Sequence, residues 1–316
     1  MRPVWLLALA AAWGCAPPAN PTAPAAAPKP EPPTARPPAA PNAACSLGAA
    51  PRCLAEGDAK AEAGAAEEAT RLWSEACEGG LGAGCFRAAQ ALQAGALEAD
   101  ATTLDRAAAL YEKGCDRGEP ASCQNAGLMW LGGPGRRSDA PRALELLRRG
   151  CQGGAASACK VAGLLLLEGR LDVADPGAAD PGAAADLFDQ GCQLEDVPSC
   201  VELGVRFYQG AGRPRDPARA ANLFARGCQA NHGIACRNLG AMHLRGEGVE
   251  LDADVASYFM KRGCDFGDEP ACVAWGQMLV EGEGVAQDGA AGRSVLQASC
   301  DRGHRPACDA LARPGP

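Results

Sequence analysis

Aromatic residues are scarce in this chain, at 4% of 316 positions with only three tyrosines. Sheet interiors favour branched and aromatic side chains, so the shortage argues for closely packed helices instead. Histidine occurs three times. His232, His243 and His304 form neither an H-E-x-x-H motif nor an i, i+4 pair, so no metal site is expected. No C-x-x-C exists, which removes the usual zinc spacings, a redox dithiol and a haem attachment site. Basic residues number 30 against 38 acidic ones, for a net charge of −8. A phosphate-backbone binder needs a basic footprint, so nucleic acid is not an expected partner.

Cysteine, by contrast, is abundant, with 17 copies. Reducing compartments rarely keep so many thiols without a metal, whereas oxidising ones use them as staples. The cysteines therefore read as disulfides and the protein as exported. The N-terminus fits. Arg2 supplies a positive charge and Val4 to Ala12 a short apolar stretch, too short to span a bilayer. The stretch ends at Ala12-Trp13-Gly14-Cys15, which resembles a bacterial lipobox. That resemblance implies cleavage after Gly14 and a lipid on Cys15; an ordinary cleaved signal with an incidental cysteine is the other reading. Residues 15–44 are dominated by proline and alanine and cannot bury enough surface to fold, so they read as a disordered tether. The expected division is a signal over 1–14, a tether over 15–44 and a folded region over 45–316.

The folded region is periodic. Cys45, Cys77, Cys115, Cys151, Cys192, Cys228, Cys264 and Cys300 recur at intervals of 32 to 41 residues. Each is followed eight positions later by a second cysteine: Cys53, Cys85, Cys123, Cys159, Cys200, Cys236, Cys272 and Cys308. Cys15 is left over. Before the first cysteine, a small residue eight positions back and an apolar pair such as Leu187-Phe188 or Leu223-Phe224 mark one face of a helix, termed helix B. Three residues past it stands glycine or asparagine, as at Gly118 and Asn231, suited to a left-handed C-cap; Glu195 is the exception. Pro120, Pro198, Pro270 and Pro306 then mark the start of helix A, which carries the second cysteine. Four residues beyond that cysteine come Ala89, Gly127, Gly163, Gly204, Gly240 and Gly276, and their recurrence predicts close helix–helix approach. Helix A should stop at Gly95, Gly133, Gly169, Gly210, Gly246 or Gly282. No single unit buries its apolar face alone, so the units must stack into a solenoid.

The segment Cys236 to Val249, reading CRNLGAMHLRGEGV, resembles the Sel-one-like repeat, and Gly282 to Val285 repeats its G-x-G-V loop. The cysteine spacing is similar to that of the cysteine-rich, secreted Hcp-type members. The resemblance covers residues 45 to 312 and implies an all-α, right-handed α/α superhelix of tetratricopeptide-like hairpins, about seven plus a capping helix. It also implies one C-x7-C disulfide per repeat, hence eight local bridges. Loops at Gly95, Gly133 and Gly169 depart from G-x-G-V, and residues 172 to 183 carry an insertion.

Candidate chemistry is thin. Ser157 and Lys160 match S-x-x-K, the nucleophile motif of serine β-lactamases, without the companion S-D-N or K-T-G. Hcp-type relatives have been linked with penicillin binding and weak β-lactam hydrolysis, so β-lactam binding is one alternative function; an assembly or chaperone factor, as in haem-handling members of the class, is another. The favoured expectation is a non-catalytic interaction scaffold or receptor-like lipoprotein of the cell envelope. It would be monomeric, without cofactor or metal, and anchored in the outer rather than the inner membrane. Its partner would be a protein or peptide. Met129, Leu165, Arg206, Met242 and Met278 stand six residues past successive second cysteines and form the candidate groove.

Overall fold

The computed structural model describes residues 49–95, 101–132, 138–167 and 180–312. The chain divides into two units, Met1–Ala40 and Pro41–Pro316, and only the second contains described residues. Cys15 and Cys45 lie outside them. Among the described residues there are fifteen helices and no strand. The first two hairpins are α1 (Ala50–Glu62) with α2 (Ala66–Glu78) and α3 (Gly82–Gly95) with α4 (Ala101–Asp116). Next come α5 (Pro120–Trp130) with α6 (Ala140–Gln152) and α7 (Ala156–Leu167) with α8 (Pro181–Gln193). Then follow α9 (Val197–Gln209) with α10 (Pro217–Gln229) and α11 (Gly233–Arg245) with α12 (Ala253–Asp265). The last hairpin is α13 (Glu269–Glu281) with α14 (Gly289–Asp301), and α15 (Arg305–Leu311) stands alone. Every helix packs on its sequence neighbours, and helix A also touches the next helix A, as in α7 with α9 and α11 with α13. This is an α/α solenoid.

Each hairpin is built around one large side chain of helix B set against one small residue of helix A. Phe188 and Phe224 are fully buried. A β-carbon added at Gly163 would sit 2.5 Å from the Phe188 ring, and one at Gly204 would sit 2.8 Å from the Phe224 ring. Gly127 faces Leu147 and Gly276 faces Leu296 in the same way. The row starts one hairpin earlier than its sequence pattern suggested, since Gly57 packs on Trp73. A scarcity of aromatics is thus affordable: one large residue per repeat fills the space that a glycine opens.

The turn from helix B to helix A repeats in detail. In all seven described copies an amide bonds to the carbonyl five residues back, as from Leu81 to Ala76 and from His232 to Gly227. This is the Schellman closure, and it needs one residue at positive φ. Glycine fills that place at Gly118 and Gly267, and Asn231 does so at φ 62°. Glu195, the odd residue in sequence, adopts the same conformation at φ 65°. The exception is one of residue type, not of shape. An L-residue with a Cβ is strained there, whereas glycine is not. Glu195 is exposed and caps nothing, so Glu195→Gly is expected to stabilise the chain by about 0.5–1 kcal/mol after glycine's greater unfolded entropy is offset. A thermal melt that shifts downward would contradict this.

Helix A ends as expected at Gly210, Gly246 and Gly282, each left-handed and each bonding back to the carbonyl four residues before. The last described residue of α3 is likewise Gly95, while Gly133 and Gly169 lie outside the described residues. The end of α5 differs, since that helix stops at Trp130, three residues before Gly133. Leu131 there donates to Leu128 in a tighter closing turn. What starts helix B is an aspartate. Asp139, Asp180, Asp216, Asp252 and Asp288 each accept an amide of the following first turn, a cap of about 1 kcal/mol. The amides of Asp139, Asp216, Asp252 and Asp288 reach back to the end of helix A, as from Asp216 to the Phe207 carbonyl at 2.8 Å and from Asp252 to that of His243 at 3.0 Å.

The second glycine of the G-x-G loop has a separate task. A β-carbon at Gly248 would lie 2.4 Å from the carbonyl carbon of Pro217, the first residue of the previous helix B. Gly212 stands against Pro181 and Gly284 against Ala253 in the same manner. Each loop therefore rests on the preceding repeat, backbone against backbone.

Candidate docking surface

Seven C-x7-C disulfides join the end of one helix B to the following helix A, with Cα–Cα distances of 4.4 to 4.8 Å. Cys53 is also disulfide-bonded, so each of the fifteen described cysteines is a staple. Such proximity requires small neighbours. The residue before the first cysteine and the one before the second touch each other: Gly114 with Ser122, Gly191 with Ser199, Gly227 with Ala235, Gly263 with Ala271. That recurring Gly-Cys pair was visible in sequence and carries as much of the geometry as the thiols.

Helix A turns one face to helix B and another away from it, and the candidate groove row lies on neither. Leu165, Met242 and Met278 are buried at 4%, 1% and 3% exposure, and Met129 is half-buried. These side chains pack mainly between repeats, and Met242 also lines the cleft between α9 and α11. A helix rotates 100° per residue, so the accessible face belongs to neighbouring positions: Leu128, Leu164, Val205, Ala241 and Gln277, with Leu131, Leu167, Tyr208, Leu244 and Val280 three residues further on. Leu128 is 39% exposed. Arg206 interrupts the packed row, and its Nε is buried without a hydrogen-bond partner.

The face opens into a cleft of about 170 Å³ between α9 and α11, lined by Val205, Tyr208, Asn238, Ala241, Met242 and Arg245. Tyr208 donates its hydroxyl to Glu247. Arg245 Nη1 donates to the Tyr208 oxygen at 3.2 Å, and Arg215 Nη2 lies 3.0 Å from Glu247 Oε1. The Tyr208 hydroxyl, then the two guanidinium groups, hold the Glu247 carboxyl below its ordinary range. The same hydrogen bond to Glu247 in turn raises the Tyr208 phenol, and partial burial adds to this. The four side chains form a fixed polar rim beside an apolar floor.

A larger cleft, about 720 Å³, opens on the loop edge beside Phe207, Arg213, Arg215, Arg219, Asp189 and Asp216. Arg213 pairs with Asp186, and the Arg219 guanidinium lies 4.3 Å from the centre of the Phe207 ring. Neither Phe207 nor Arg219 stood out in sequence, because each belongs to a repeat row whose other members pack or pair conventionally.

Ser157 sits in a shallow groove of about 550 Å³ with Pro120, Gln124 and Glu195. Its hydroxyl donates to Gln124 Oε1 at 2.7 Å, so its proton goes to an amide rather than to a base. His243 stacks on Phe259 at 5.8 Å, with Nδ1 3.0 Å from the Glu250 carbonyl oxygen, which is a packing role. Among the described residues no group of three His, Cys, Asp or Glu could hold a metal ion. None of the described helices is long and apolar enough to cross a membrane.

A family model for the Sel1 repeat matches residues 82–119, 120–154, 197–232, 233–268 and 270–304. No curated protein matches the sequence significantly. Solved structures do. A protective antigen of uropathogenic Escherichia coli displaying an SLR fold is 21% identical, with a TM-score of 0.67 over 82% of this chain. This chain covers 58% of that antigen's length. A Sel1 repeat protein from Oxalobacter formigenes is 20% identical with a TM-score of 0.64, covering 78% of this chain and 96% of that one. Cysteine-rich protein B of Helicobacter pylori matches 42% of this chain and 94% of its own at 21% identity; its TM-score of 0.35 carries no subgroup assignment.

Proposed function

We propose that this chain, which belongs to the Sel1 repeat family, is a protein-interaction scaffold lipid-anchored at the bacterial cell envelope. Sel1 repeat proteins are generally scaffolds for protein–protein contacts. The observation that carries the reading here is the helix A face around α9 and α11. Partly exposed apolar side chains lie there beside the polar rim of Tyr208, Glu247, Arg215 and Arg245. Docking surfaces combine such an apolar floor with a satisfied polar border. At Ser157, the serine of the S-x-x-K match, the hydroxyl is held by the Gln124 amide oxygen rather than by a base.

The compartment follows from the cysteines. A solenoid with a staple in every junction suits an oxidising space. The signal over 1–14, Cys15 as the lipid-bearing residue and the tether over 15–44 would then place residues 45–316 clear of a membrane. Ala16 in place of an aspartate favours the outer membrane. Metabolic labelling with a fatty-acid analogue is expected to mark the wild type and to spare Cys15→Ser; equal labelling of both removes the anchor. In the same cells, a photo-cross-linking residue placed at Val205 should yield a discrete protein adduct, while one at the exposed Asp254 should not. Equal yields from both positions, or none from either, would overturn the docking face.

A further inference from the structure

Residues 197–250 hold seven arginines against four acidic residues, a net charge of +3 within a chain of net −8. Three of these arginines are spoken for by carboxylates. Arg213 pairs with Asp186, Arg215 with Glu247, and Arg237 with Asp268. Arg219 is not. It is exposed in the 720 Å³ cleft, its guanidinium stacked on Phe207, and among the described residues it has no carboxylate partner.

The equivalent arginine two repeats earlier shows what is missing. Arg142 is gripped by Glu112 at 3.0 Å and Glu145 at 2.8 Å. At the later site the first acid is Asp189, one methylene shorter and already accepting from Gln193 at 3.0 Å; the second is Asn222. Asp216 faces the same cleft, yet its carboxylate is used by the first turn of α10. Here the arginine is kept, the first acid is shortened and engaged by Gln193, the second is replaced by an amide, and the guanidinium lies over a ring. A planar, stacked guanidinium presents its donor fork outward in the geometry that grips a carboxylate bidentately.

We infer that this cleft receives an acidic side chain from the docked partner, with Arg219 as the residue that reads it. The occupant is an acidic peptide segment running along the α9–α10 edge beside the face already proposed for docking, and the inference rests on that reading. Arg213 and Arg215 in the lining are held by Asp186 and Glu247, so Arg219 supplies the unsatisfied fork at which such a segment seats.

The test is calorimetric titration of the purified full-length chain with a capped hexaglutamate peptide at low ionic strength. Wild type is expected to bind, and binding should weaken steeply with added salt. Arg219→Gln should lose at least tenfold in affinity, while Arg142→Gln, which removes an internally paired arginine, should leave it unchanged. No binding to the wild type, or equal loss in both variants, overturns the inference. So does inorganic phosphate binding as tightly as the peptide, which would mark a plain anion site. No peptide binding by the wild type while its Val205 cross-links form refutes this inference alone; absence of the Val205 cross-links refutes the docking face itself.

Discussion

Gly248→Ala is expected to cost about 2–5 kcal/mol, more than its small added volume suggests. Left-handed backbone penalises a Cβ by about 1–2 kcal/mol, and forcing an atom into a packed contact adds about 1–3. Both apply: Gly248 has φ 74°, and the new carbon would meet the Pro217 carbonyl. Backbone cannot swing aside as a side chain can, so the loop and the previous helix must separate. Gly64, at φ 79° with no atom within 4 Å of its would-be Cβ, is the control, since Gly64→Ala carries only the conformational cost. Denaturant midpoints for the two variants separate the contributions. Equal destabilisation would show that the loop contact adds nothing.

The second large effect concerns a staple. Cys228→Ser combined with Cys236→Ser removes a bridge closing a nine-residue loop, for which the chain-entropy model gives about 2–3 kcal/mol. The damage should stay local. Each repeat touches mainly its neighbours, and such arrays distribute stability as nearest-neighbour terms. Amide exchange should quicken in α10 and α11 and remain slow in α5 and α6. Uniform loss of protection along the chain would instead reveal a single cooperative core.

Much of this architecture was legible in sequence, because a repeat states its rule many times. The cysteine spacing and the glycines of helix A all mark positions where only one kind of residue fits. What was misread concerned rotation and identity. The row through Met242 and Met278 is mostly buried while Met242 reaches the floor of the α9–α11 cleft, and hydrophobicity alone does not separate an inter-repeat contact from a groove one residue away on the helix. Glu195 looked like a broken cap, because residue preference stood in for backbone conformation, which the surrounding turn imposes. The aspartate caps recur every 36 to 41 residues from Asp139 onward and were open to the same periodic reasoning that found the cysteines. Arg219 was not: its distinction is the acid that Asn222 fails to supply, and an absent partner shows only once Arg142 and its two glutamates are seen in space.

The short reach of every staple bears on how the chain is made. Each described bridge joins cysteines eight positions apart, with helix-ending turns between them. In an exported chain threading outward from its N-terminus, a cysteine meets its mate within a few residues of emerging, before the next pair has left the pore. Oxidation can then proceed in the order of translocation, one junction at a time, and mispairing between distant thiols is pre-empted by timing rather than corrected by reshuffling.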